Sequence, residues 1–259
     1  MPPAYVYARA EQESSRLDVT VDQRNTVIVA CVYALGILLL WVIPYVNIVL
    51  YPFKLLTVGF HEFSHAFMGV LTCARIESIA LDPDEGGATR MRGGIALLTL
   101  PAGYLGSSLI GAVLIACGFD ERASKVASIV VGVFFLMMLW WARRNVLTWV
   151  LITAMVGLFV LFWFVADSVA LRYFVLFIGV MNCLYSVWDI CDDLVLRKVN
   201  ESDASAFARV VGCCPSQVWG ALWLLISLVF FAAGILCGIV IFKTPVAEQQ
   251  ASHFLDVPT

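Results

Sequence analysis

Seven long apolar runs dominate this chain, at roughly 27–50, 55–73, 95–118, 126–142, 147–166, 171–193 and 217–242. About 20 apolar residues in helical form cross the hydrocarbon core of a bilayer. Inside that core every backbone N–H and C=O must find its partner within the protein, which leaves helices or closed barrels. The runs are too long for barrel strands of about 9–11 residues. The expected fold is therefore an all-α polytopic membrane protein with six or seven transmembrane helices. The second run is the least uniform and the fourth is short, so the number turns on these two. Composition agrees, since 61% of residues are hydrophobic and only 14% are charged, against about 25% charged in soluble domains. A net charge of −3 gives no basic footprint for nucleic acid.

The apolar runs divide the chain into a polar N-terminal tail (1–26), a membrane domain (27–242) and a polar C-terminal tail (243–259). The stretch before the first run is polar, so a cleavable signal peptide is not expected from it. Most of the 16 Lys and Arg fall on the N-terminal side of the bilayer if the spans alternate, which predicts a cytosolic N terminus. The eight cysteines form no CxxC pair, so neither a zinc ribbon nor a disulfide framework is indicated. The vicinal Cys213 and Cys214 stand before the last run, where acylation is one reading. Between the second and third runs, "RIESIALDPDEGGATRMRGG" alternates, turns at Pro83 and Gly86-Gly87, and returns. That pattern predicts a short β-hairpin over 76–92. Its acidic turn lacks the spacing of a calcium loop.

The second run contains "HEFSH", residues 61–65. Titratable groups are costly in lipid unless they have a function. On a helix, i and i+4 share a face, so His61 and His65 point together as two imidazole donors suited to zinc. Glu62 lies beside them as a general base. The plain alternative is a packed histidine pair. A third protein donor is expected, and His253 in the C-terminal tail is poorly placed to serve. The sixth run ends in "VWDICDD", with Asp189, Asp192 and Asp193 near one face. At about 1.5 Å per residue, His65 lies roughly 15 Å before Arg75 and Asp189 roughly 12 Å before Arg197. Both depths are measured from the cytosolic side. Asp189, the deepest, is the first choice and Asp193 the alternative, while Asp192 reads as interfacial. Asn182, two turns earlier, bonds either substrate or another helix.

An HExxH helix followed by a much later aspartate resembles the site-2-protease class of intramembrane zinc metallopeptidases, in its compact B-like branch. The segments "HEFSHAFMGVLTCARIESIALDPDEGGATRMRGG", "LPAGYLGSSLIGA" and "NCLYSVWDICDDLVLRKVNESDA" carry the resemblance, over roughly residues 55 to 207. It implies Zn2+ as cofactor, His61 and His65 as ligands, Glu62 as catalytic base and an aspartate of "SVWDICDD" as third ligand. The Asp-Gly step of better-known members is replaced here by Asp189-Ile190. Transmembrane proteins are the implied substrates. A hairpin edge at Ile79 and Ala80 would receive the unwound substrate by strand addition.

Other chemistries fit less well. "GSSL" at 106–109 breaks the GxSG of a rhomboid-like serine site, and the paired YD and GxGD of an aspartyl site do not occur. A transporter would spread its polar groups along a path, whereas here they concentrate at one place. A non-catalytic membrane scaffold would have no use for Glu62.

Overall fold

The computed structural model describes residues 19–43, 47–82, 86–195 and 202–243. Eight α-helices and one hairpin make up this part: α1 (Val21–Val42), α2 (Asn47–Leu71), β1 (Arg75–Asp82), β2 (Gly86–Arg92), α3 (Ala96–Cys117), α4 (Glu121–Trp141), α5 (Val146–Phe164), α6 (Val169–Val195), α7 (Asp203–Val211) and α8 (Ser216–Ile241). A 3-10 turn (Val165–Ser168) joins α5 to α6.

Six of these helices, α1, α3, α4, α5, α6 and α8, are long and apolar enough to cross a bilayer. The HExxH helix α2 is not among them, because Lys54, His61, Glu62 and His65 interrupt its apolar character. The short fourth run becomes a full helix of 21 residues, capped by the Asp120 side chain on Ala123 N–H. Lipid-facing positions on α1, α4 and α8 expose large apolar side chains such as Leu39, Leu136 and Leu225. In a soluble protein such a surface would drive association; facing lipid it is the expected exterior.

α1 begins at Val21, inside the stretch expected as a tail. Thr20 and Gln23 close a capping box there, which satisfies donors at the helix start. Gln23 Nε2 also donates to the carbonyls of Ile239 (2.8 Å) and Phe242 (2.7 Å), tying α1 to the end of α8. The remainder of the two tails, with His253, lies outside the described residues.

The central element is α3, which packs most extensively on α6 and α8 and also covers α2. Glycines permit this approach. Cβ atoms at Gly111 or Gly179 would run into the opposing backbone of α6 or α3, and one at Gly106 would meet Ser64 of α2. Small residues at such crossings let helix backbones come close. A large apolar cluster joins α2, α4, α5 and α6 through Phe60, Phe63, Phe135, Phe159 and Phe174. The antiparallel hairpin has Ile79 facing Thr89 and Ala80 facing Ala88, with an irregularity between Ile76 and Ser78. Alternation on β1 buries Ile79 and Leu81 in the main core. Asn145, the cap of α5, donates to Leu81 O at 2.8 Å and fixes the far end of β1.

Candidate metal centre

His61 and His65 sit on one face of α2, both buried. Their Nε2 atoms are 3.0 Å apart, and each lies 2.9 Å from Asp203 Oδ2. Among the described residues, these three form the group of His, Cys, Asp and Glu side chains close enough to share an ion. Asp203 comes from the first turn of α7, a nine-residue helix too short to span a bilayer. Ser202 caps it by accepting from Ser205 N–H, and Gly212 ends it in the left-handed conformation at φ 72°. One turn after Asp203, Phe207 packs between Trp219 and Trp223 of α8, at ring separations of 4.7 and 5.4 Å. Tyr104 and Ala204 complete that cluster. The amphipathic face of α7 thereby aims Asp203 at the histidines. Desolvation opposes charge on Asp203, but the His65 and His61 imidazoles more than offset it and hold the carboxyl well below the usual carboxylate range.

The donor set suits a cation. His65 Nδ1 is 2.7 Å from the Thr99 carbonyl; a carbonyl only accepts, so Nδ1 carries a proton, and Nε2 is the nitrogen that would ligate a cation once free of its own. Such a second bond on the outer nitrogen commonly orients a ligating histidine. A tetrahedral ion with bonds of about 2.0–2.1 Å separates its ligands by about 3.3–3.4 Å, so the triangle need open only about 0.4 Å. Gly103 of α3 leaves the space for it. A Cβ there would lie within 2.6 Å of His61 Cε1 and of both Nε2 atoms.

Glu62 is buried beside this triangle. Thr89 Oγ1 of β2 stands 2.6 Å from Glu62 Oε2 and 3.0 Å from its main-chain carbonyl. Gly87 makes room for the carboxylate, since a Cβ there would meet Glu62 Oε1 at 2.7 Å. A cleft of about 410 Å³ opens onto the site, lined by Glu62, His65 and Asp203 and by β2 residues Gly87 to Thr89.

The arrangement replaces Asp189 by Asp203 as the third donor and places the other expected residues as follows. Asp189 is not with the histidines; its carboxylate accepts from Tyr104 at 2.5 Å and from Tyr185 at 3.3 Å. Asp193 is in the last turn of α6, and its side chain lies outside the described residues. Asn182 is fully buried beside Gly111 and away from the cleft. Ile79 points into the core, and Ala80 is on β1, while the cleft is bordered by β2. Asp203 escaped the sequence reading because donors were sought inside apolar runs. The signal was present in "ESDASAFARVVG", a capped short helix pairing an N-terminal acid with an apolar face.

The fold and the site define a class, a polytopic membrane protein with a His-His-Asp cation site and an adjoining glutamate. The chain belongs to the Peptidase M50B-like family, which matches residues 29–234. No curated protein and no solved structure matches it. Six long apolar helices and the family together make it an integral, multi-pass membrane protein.

Proposed function

We propose that the chain is a zinc-dependent intramembrane endopeptidase acting on membrane-spanning proteins, with its N terminus in the cytosol. The observation that carries the reading is the convergence of three donor atoms within 3.0 Å, with Glu62 next to them. A family of peptidases supports it. His61, His65 and Asp203 would hold zinc, which supplies a Lewis acid that activates water and polarises a peptide carbonyl. Glu62 takes the proton of the attacking water and returns it to the leaving amine. Thr89 fixes the plane of the Glu62 carboxylate through Oε2. A helical peptide bond is shielded, so the substrate must unwind to be cut. The open edge of β2 along the cleft offers main-chain groups to the extended segment.

The deciding experiment compares detergent-purified wild type with Glu62→Gln. Wild type should contain about one zinc per chain and cleave a transmembrane substrate in liposomes. Glu62→Gln should keep the metal and lose cleavage, and cleavage by that variant would overturn the reading.

A further inference from the structure

The two histidines are oriented by different means. His65 has its Thr99 carbonyl, whereas the buried Nδ1 of His61 has no hydrogen-bond partner among the described residues. A ligating imidazole without that second bond has little to fix its rotation. Aromatic edges take its place. Tyr104 of α3 packs against the His61 ring at 4.6 Å and 79°, and Tyr185 of α6 lies at 6.2 Å and 79°. Both phenols converge on one carboxylate, with Tyr104 Oη on Asp189 Oδ2 and Tyr185 Oη on Asp189 Oδ1. Tyr104 is further backed by Trp223 at 5.6 Å. Aromatic pairs of this kind prefer edge-to-face geometry and resist rotation out of it.

We propose that Asp189, Tyr104 and Tyr185 form a clamp that positions His61 for the metal. Asp189 acts as the tie between two rings rather than as a ligand, and the rings stand in for the missing hydrogen bond. Tying α3 to α6 at this point also joins the metal centre to the most extensive helix contact in the fold. All three are positioning residues. The inference rests on the proposed metal site, so its test reads the metal and needs no turnover.

The experiment measures zinc affinity by chelator competition and the visible spectrum of the cobalt-substituted protein, for wild type, Tyr104→Phe, Asp189→Asn and Asp189→Ala. Tyr104→Phe keeps the ring and its volume while losing the tie, so it remains informative if Asp189→Ala folds poorly. The expected result is about one metal per chain at saturation in every variant. Affinity should fall about 10–100-fold in Asp189→Ala, the range for a lost outer-shell partner, and several-fold in Tyr104→Phe. The cobalt bands should shift with it, and Asp189→Asn, which still accepts from Tyr104, should recover part of the loss. Wild-type affinity and spectrum in both Asp189→Ala and Tyr104→Phe would overturn the clamp. So would a complete loss of metal in Asp189→Ala at saturation, because it would make Asp189 a ligand. A chain that binds zinc but cleaves nothing would fail the peptidase reading while leaving this test unaffected.

Discussion

Asp203 Oδ2 stands 2.9 Å from His65 Nε2, although 138 positions separate the two residues in the sequence. The distance is set by a helix that does not cross the bilayer. α7 brings its first residue to the histidines because Phe207, one turn later, is buried among Trp219, Trp223 and Tyr104. The His-His-Asp cluster is therefore assembled from one HExxH helix and one short docked helix, with α3 as the floor between them.

Asp203→Ala should remove the third donor. Zinc affinity is expected to fall by more than about 100-fold, beyond the usual effect of an outer-shell change. Circular dichroism of the purified variant should remain helical, since Asp203 is the first residue of a nine-residue helix and the change leaves the long helices untouched. Metal analysis after dialysis against a weak chelator checks it. Retention of stoichiometric, tightly held zinc would move the third ligand elsewhere.

Thr89→Val preserves the shape of the side chain and deletes the hydroxyl that holds Glu62. Zinc content should be unchanged, because Thr89 touches none of the three donors. Turnover should drop by roughly 10-fold, less than the roughly 100-fold or more that a general acid–base group itself contributes, because Thr89 only positions Glu62. Thr89→Ser should restore most of it. Equal rates for Thr89→Val and wild type would show that Glu62 needs no such support.

The bundle and the hairpin were legible in the sequence because each has a period that burial enforces. Runs of about 20 apolar residues admit only helices in lipid, and alternation through "IESIAL" admits a strand with one buried face. HEFSH was legible because i and i+4 coincide on a helix. The third donor was not, for a physical reason. Depth along the bilayer normal places Asp189 near the histidines, but it says nothing about the direction of the side chain. Tyr104 and Tyr185 capture that carboxylate, and no spacing rule announces that Tyr104 reaches it from a second helix. The hairpin residue that meets Glu62 was not legible either. Ile79 fits the alternation because it is core, and it is Thr89 on the partner strand that meets Glu62.

Gly103→Ala sets two effects against each other. In an exposed helix the change would stabilise by about 0.5–1 kcal/mol. Here the new methyl would occupy the space between the two Nε2 atoms. Zinc binding should be lost or weakened by more than about 100-fold, which is about 2.7 kcal/mol, while the metal-free protein should gain no thermal stability, because the methyl overlaps two buried imidazoles. Comparison of melting temperatures with and without zinc reads both terms. A full zinc-induced shift in the variant would mean that the ion does not sit against Gly103.

Phe207→Ala tests whether docking of α7 and metal binding are one process. Removing a buried phenylalanine costs about 3–5 kcal/mol in a well-packed site. That loss falls on a helix of nine residues held by few other buried side chains, Ala204 among them. The main cores do not include Phe207, so the expected outcome is local undocking, with the six long helices retained. Asp203 then leaves the histidines, and zinc affinity falls although no donor has been changed. Because zinc binds only the docked form, raising its concentration should drive α7 back by mass action. Hydrogen exchange at the amides of α7 follows this directly. Protection should be weak in the variant without zinc and recover as zinc is added, while protection in α3 and α6 stays constant throughout. Protection of α7 that ignores zinc would separate the helix from the metal centre and leave Asp203 without its assigned role.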